Sequence, residues 1–195
     1  MKRGYVLLEA MVSLSIMLII VTCLYGVIVT AHKAKNNIED RVELSQQIEE
    51  MDYQIKNLIE GCVNIINITT VNKNVINNLE YNQVYDVSSI KLNFKTEENK
   101  DDLNLKNKEI SLKEQKNKLF VNSLMDNNSS EVGGYEIGDY VKHVYIKLEN
   151  PKLVSIVLSL QKNDVALEKE IKLYIRYDYN IWNNKKKYKP WGDLY

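Results

Sequence analysis

A single carboxylate, Glu9, stands directly before the longest apolar stretch of the chain. Residues 10–31 contain no ionisable side chain apart from Cys23 and Tyr25. A carboxylate at the centre of a bilayer costs roughly 2.5 kcal/mol or more, so an acidic group at the start of a membrane helix usually marks function. A buried carboxylate also needs a cationic partner. Glu9 is therefore the first candidate for a functional residue.

A short basic leader, a glycine and four apolar residues precede Glu9, in the order Met1-Lys2-Arg3-Gly4-Tyr5-Val6-Leu7-Leu8. This order, followed by a long apolar helix, resembles the class III signal of type IV pilins and pseudopilins. The resemblance covers about thirty residues at the N-terminus, and no motif identifies the rest of the chain. It is specific because it fixes a glycine, a carboxylate and a membrane span at set offsets.

The resemblance implies a use for each residue of this segment. In that family a prepilin peptidase cuts after the glycine, here between Gly4 and Tyr5, and the new amine, here on Tyr5, is usually methylated. The glutamate, here Glu9, meets the N-terminal amine of a neighbouring subunit during filament assembly. An ammonium at Tyr5 lies one helical turn from Glu9 or on an adjacent chain. Family members most often begin with phenylalanine and threonine, where this chain has Tyr5 and Val6.

The apolar run is long enough to cross a bilayer, since its 22 residues span about 33 Å as a helix. Lys2 and Arg3 flank its start, so the positive-inside tendency places the N-terminus in the cytoplasm and the rest of the chain outside. Gly26 predicts either a position at which the helix unwinds easily or a close approach to another helix, and both interpretations stay open.

Two other interpretations of this segment exist. A secretory signal could be cleaved after Ala31, but the apolar stretch is longer than the usual core of about 7–15 residues and Glu9 would have no role. A plain membrane anchor with an incidental Glu9 is the second.

Composition is that of one anchor plus one soluble domain of ordinary size, with 195 residues and a formal net charge of zero. Balanced charge argues against a protein that coats nucleic acid. Cys23 and Cys62 are the only cysteines. Along an unbroken helix they lie roughly 58 Å apart. An intrachain disulfide is therefore excluded, because it needs Cα atoms within about 7 Å.

The helix is expected to continue as an amphipathic segment and to end near Gly61, because no Gly or Pro interrupts residues 27–60. Three- and four-residue steps predict the buried stripe. Its members are Ile38, Val42, Ser45, Ile48, Met51 or Asp52, Ile55, and Leu58 or Ile59. A two-helix coiled coil is the alternative, although the pattern covers only about three heptads.

Alternation with a period of two then predicts strands. The candidates lie near 63–68, 87–94, 109–113, 118–122, 144–148, 154–160 and 171–175. Charged residues 96–108 predict a loop or the tip of a hairpin, and 126–130 and 133–134 predict turns. The last three strands have short connections, which favours an antiparallel meander.

Together these elements predict an α+β fold, in which a long N-terminal helix packs its amphipathic half against a C-terminal antiparallel β-sheet. The pilin resemblance implies the same architecture. The predicted organisation is a leader at 1–4, a transmembrane helix at 5–31, an amphipathic helix at 32–60, an extracytoplasmic β-rich domain at 61–180 and a basic and aromatic tail at 181–195.

No catalytic constellation, cofactor motif or metal-spaced cluster is found, so no enzyme activity is predicted. His32 is expected at the headgroups and His143 in a strand. Asp101-Asp102 and residues 126–131 match no strong calcium pattern and are expected to be solvated loops. Basic and aromatic residues alternate in 177–191, a pattern that suits DNA but is more typical of a solvated tail.

The sequence therefore favours a structural subunit, a minor pilin or pseudopilin of a type IV pilus-like filament. Minor status follows from the missing pair of C-terminal cysteines and from the long final meander. The implied partners are other pilin or pseudopilin subunits, prepilin peptidase, the inner-membrane assembly platform and membrane lipid, with DNA as a further candidate. Type IV pilus, type II secretion and competence systems share this leader. The alternatives are a surface binding protein with an uncleaved anchor and an enzyme secreted after cleavage at Ala31.

Overall fold

The computed structural model describes residues 2–95, 105–124 and 134–175. One helix, α1 (Lys2–Gly61), runs without interruption and ends where the sequence predicted. The N–H of Cys62 closes its last turn by donating to the carbonyls of Leu58 (3.0 Å) and Ile59 (3.3 Å). The chain separates into two compact units, residues 1–42 and 43–195, so the second half of α1 belongs to the unit that carries the sheet.

Nine strands are seen in the described residues after α1. They are β1 (Asn64–Thr70), β2 (Val75–Ile76), β3 (Val84–Lys95), β4 (Leu105–Lys113), β5 (Lys118–Leu124), β6 (Tyr135–Gly138), β7 (Val141–Asn150), β8 (Leu153–Lys162) and β9 (Val165–Tyr174). A short 3₁₀ helix, Glu114–Lys116, lies between β4 and β5.

These strands form one antiparallel sheet in the order β6-β5-β4-β3-β7-β8-β9, and β1 pairs with β2 and β3. The long strand β3 joins the part of the sheet that contains β4, β5 and β6 to the part that contains β7, β8 and β9. Residues 84–86 of β3 pair with β7, and residues 89–95 pair with β4. The meander β7-β8-β9 is confirmed, with Ile146 opposite Ile156 and Ile156 opposite Ile171. The α+β fold predicted from the sequence is therefore confirmed.

The hydrophobic core lies between the second half of α1 and one face of this sheet. The helix contributes Leu44, Ile48, Met51, Ile55, Leu58 and Ile59, all buried. The first half of the predicted stripe is wrong, because Ile38 is 64% exposed, Val42 is 52% exposed and Ser45 is also exposed. At about 100° per residue, Val42 lies nearly opposite Leu44 on the helix. The apolar part of the buried face thus begins at Leu44, a residue that the prediction omitted, and the polar Asp40, one turn earlier, is also buried (8% exposed).

The predicted loop at 96–108 is also wrong at its end, because β4 begins at Leu105. Charged residues are accommodated here because Lys108 places its ammonium 4.9 Å from the centre of the Phe94 ring. Residues 96–104, the predicted turn at 126–130 and Gly133 lie outside the described residues.

Candidate processing and membrane-anchoring segment

The bond between Gly4 and Tyr5 lies in the first turn of α1, which begins at Lys2. The first four N–H groups of a helix have no partner within it. Glycine also costs about 1 kcal/mol in a helix relative to alanine. Opening this turn into the extended form that a protease needs therefore breaks few hydrogen bonds.

Tyr5 and Glu9 lie four residues apart on α1 and so share one face of the helix. Both side chains are exposed. Within the described part of the chain, Glu9 has no hydrogen-bond or ion-pair partner. The structure thus places Tyr5 and Glu9, the predicted new amino terminus and the predicted assembly carboxylate, one helical turn apart.

The side chains of the apolar run are exposed along its whole length. The most apolar 18-residue window of the helix from Tyr5 to Gly61 has a mean hydropathy of 2.6, and none of it is buried within the chain. Length and composition are compatible with a single-pass membrane anchor, and an N-terminal signal sequence has the same two properties. In either case the described part of the chain leaves the run uncovered, and its side chains favour an apolar environment.

The hydroxyl groups in this run are satisfied by the helix itself. Ser13 donates to the carbonyl of Ala10 (3.0 Å), Ser15 to that of Met11 (2.8 Å) and Thr22 to that of Leu18 (2.7 Å). Because such bonds remove the need for water, these hydroxyls are compatible with lipid or with a packed helix bundle.

Gly26 does not interrupt α1, and a Cβ placed there would meet nothing within 4 Å. Within the described residues, Gly26 therefore makes no close approach to another part of the chain. Cys23 is exposed, Cys62 is buried, and both are free thiols, in agreement with the excluded disulfide. Burial raises the pKa of the Cys62 thiol to about 12, which keeps it protonated and unreactive.

The remaining candidates provide no metal site in the described residues. His143 lies in β7 as predicted, where its Nδ1 is 3.0 Å from a carboxylate oxygen of Asp86 and its ring stacks on Tyr145. No group of three or more His, Cys, Asp or Glu side chains is placed to hold a metal in this part of the chain. Asp101-Asp102, residues 126–131 and the tail from 177 lie outside the described residues.

Sequence reasoning missed a set of polar contacts between α1 and the sheet. The Tyr140 hydroxyl donates to Glu43 (2.8 Å), and the ammonium of Lys162 lies 2.5 Å from the other oxygen of Glu43. Lys169 lies 2.7 Å from Glu49 and 2.5 Å from Asp52. Because the partners are about a hundred positions apart in sequence, no local signal could have indicated them.

No protein-family model, no curated protein and no solved structure matches this chain.

Proposed function

We propose that this protein is a structural subunit of a type IV pilus-like filament, a minor pilin or pseudopilin. The observation that carries the proposal is the order Gly4, Tyr5, Glu9 at the start of a helix whose apolar half is wholly exposed. In the proposed pathway the chain inserts with its N-terminus in the cytoplasm. Prepilin peptidase cuts between Gly4 and Tyr5, and the trimmed helix joins a bundle of similar helices.

The exposed apolar half of α1 supports assembly through the helix. Residues 10–31 contain no Asp, Glu, Lys or Arg, and covering one large apolar side chain that would otherwise face water is worth about 1.5–3 kcal/mol. Between helices that are already in lipid this gain is absent, and association comes from side-chain packing and polar contacts. Lipid satisfies this surface before assembly, and neighbouring helices satisfy it in a filament. The same helix continues through Glu43 into the unit that carries the sheet.

The charge of Glu9 supports processing before assembly. An unpaired carboxylate in a bundle of apolar helices would be costly, and Glu9 has no partner within the described chain. Cleavage after Gly4 creates a cationic amine at Tyr5, on the same helix face. Such an amine on a neighbouring subunit would compensate Glu9, whereas the side-chain cations of the uncut leader, Lys2 and Arg3, stand seven and six positions before Glu9 in the sequence.

Processing is tested by expressing the chain with and without a prepilin peptidase and measuring its N-terminus by mass spectrometry. A chain that begins at Tyr5 is expected with the peptidase, and Gly4→Val is expected to abolish that product. Gly26→Val is the matched control, because a side chain there meets nothing within the chain. An intact Met1 in the presence of an active peptidase would contradict the proposal.

That outcome would favour the second candidate, a surface binding protein held by an uncleaved anchor. The observation in its favour is that lipid alone is enough to cover the exposed apolar helix. A chain beginning at His32 would instead indicate a secreted protein released after Ala31.

Assembly is tested with Glu9→Leu, which is expected to insert in the membrane normally and to be excluded from filaments. The control is Glu39→Leu, which removes an exposed carboxylate from the same helix beyond the apolar run. Membrane fractionation measures insertion, and immunoblotting of sheared filaments measures incorporation. Normal incorporation of the Glu9→Leu chain would argue strongly against the proposed pairing.

A further inference from the structure

Strand β9 is an open edge of the sheet. It pairs with β8 at ten consecutive positions, from Val165 opposite Lys162 to Tyr174 opposite Leu153, without a bulge. Within the described ranges, no strand pairs with its other side. Alternate side chains along β9 are exposed, and Tyr174 at its end is 65% exposed. The free side of β9 therefore presents a regular row of backbone N–H and C=O groups.

The other edge strands are protected in ways that β9 is not. Strand β6 has four residues and a register shift against β5, and β2 has two residues. Short strands and bulges prevent a further strand from pairing. Strand β9 has ten residues and contains no Gly or Pro. Charged side chains are the remaining device that protects an edge, so the charges of β9 decide whether it can take a partner.

The inward charge of β9 is already compensated. Lys169 is opposite the fully buried Leu158 and thus lies on the core-facing side of the strand. An unpaired charge there would oppose the addition of a strand, because the new strand would bury it. The Lys169 ammonium, however, lies 2.7 Å from Glu49 and 2.5 Å from Asp52 of α1. Lys169 therefore keeps its partners when a strand is added at this edge.

The outward charges of β9 complement those of a second β9. Opposite residues of an antiparallel pair lie on the same face of the sheet. With the pairing centred on Ile171, Glu170 of each copy lies opposite Lys172 of the other. Centring it on Glu170 or on Lys172 instead places like charges opposite each other, which is destabilising.

Both side chains also have contacts within the chain. Lys172 lies 3.0 Å from Glu149, and Glu170 accepts a hydrogen bond from Ser155 (2.6 Å). The side chain of Lys172 is nevertheless 53% exposed and that of Glu170 is 51% exposed. Each can therefore face a second copy without giving up its present partner.

We propose that the free edge of β9 binds the same edge of a second copy of this chain, antiparallel and centred on Ile171. The two sheets then form one continuous sheet through a symmetric contact, as is usual for identical chains. The proposal uses residues of the sheet-bearing unit only. It does not rest on cleavage at Gly4, so its test and the processing test can fail independently.

Directed disulfide formation between two variants of the full chain in detergent micelles tests the pairing. Cys23→Ala first removes the exposed thiol, and Cys62 is buried. A Glu170→Cys chain is then mixed with a tagged Lys172→Cys chain under mild oxidation. Opposite Cα atoms are about 4.5–5.5 Å apart, within the limit of about 7 Å for a disulfide. The mixed disulfide is expected in about tenfold excess over either homodisulfide, since identical residues are offset along the paired strands.

Lys147→Cys mixed with Lys172→Cys is the matched control. Lys147 lies in β7, where β3 and β8 pair with its two sides, so it cannot lie opposite a second copy and should give no such excess. Absence of the mixed disulfide from the first mixture would overturn the proposal and leave the edge to solvent or to a different partner. Homodisulfides as abundant as the mixed product would also overturn it, because they indicate random collision or another register.

A charge exchange provides an independent measurement. In the natural chain, deuterium exchange of the β9 amides should slow as the protein concentration rises, because a second copy takes up their free hydrogen bonds. Lys172→Glu should remove this dependence, and Glu170→Lys added to the same chain should restore it. A dependence that is absent from the natural chain, that survives in Lys172→Glu or that is not restored by the second substitution contradicts the pairing.

Discussion

At Gly138 the sheet approaches α1 closely, and replacing this residue tests the packing between them. It ends β6 and pairs with Leu119 of β5. A Cβ at this position would lie 2.1 Å from the Met51 sulfur and 2.5 Å from its Cγ, well inside van der Waals contact. Methionine is flexible, but Met51 is completely buried and cannot move its side chain into solvent.

Gly138→Ala should therefore destabilise the domain as an overpacked core does, by about 1–3 kcal/mol. For a chain of this size each kcal/mol lowers the melting temperature by about 2–4 °C, so a loss of ~2 kcal/mol corresponds to roughly 4–8 °C. Circular dichroism of the full chain in detergent micelles, heated while the strand signal is followed, measures this change.

Gly61→Ala is the matched control, because its Cβ would meet only Phe94, at an ordinary contact distance of 3.9 Å. Its melting temperature should stay close to that of the natural chain. Met51→Val in the Gly138→Ala background shortens the opposing side chain and should recover part of the loss. A Gly138→Ala chain as stable as the natural one would refute the close approach. A double variant with no recovery would show that Met51 is not the obstacle.

Three further predictions concern single side chains. Ile48→Ala should lower the free energy of unfolding by about 2–5 kcal/mol, and Ile38→Ala by less than about 0.5 kcal/mol; equal effects in urea denaturation would contradict the buried stripe. The hydrogen bond to Glu43 raises the pKa of Tyr140 above the usual tyrosine value of 10.0. Its stabilising contribution is therefore complete below that pH and is lost as the pH rises through the higher, folded pKa. Tyr140→Phe should show a flatter alkaline denaturation curve, and an unchanged curve would count against the bond. Cys62, whose pKa is raised to about 12 by burial, should resist iodoacetamide at mildly alkaline pH until the chain is unfolded; rapid native modification, detected by peptide mass spectrometry, would show that it is accessible.

The features that follow from local pattern were predictable. The absence of Gly and Pro between Val27 and Glu60 predicts an unbroken helix, and α1 ends at Gly61. Alternating apolar residues predict the strands of the final meander, because side chains on a strand point to opposite faces in turn. The candidate site is equally local, since Gly4, Tyr5 and Glu9 lie within two turns of one helix.

The start of the buried helix face was not predictable in this way. Val42 and Leu44 are both apolar, and residue type alone does not say which of them faces the sheet. The structure buries Leu44 and leaves Val42 52% exposed. Which face is covered depends on where the sheet ends, and that is a tertiary property.

The amino-acid sequence alone determined the features that depend on neighbouring residues. These are the long helix, the meander, and the glycine, aromatic residue and carboxylate at fixed offsets before an apolar span. The folded chain alone decided which partners meet across long separations. Tyr140 reaches Glu43 across 97 positions and Lys162 reaches it across 119. These contacts form only because the sheet brings two of its turns to one point on the helix. No local sequence pattern predicts which residues meet there.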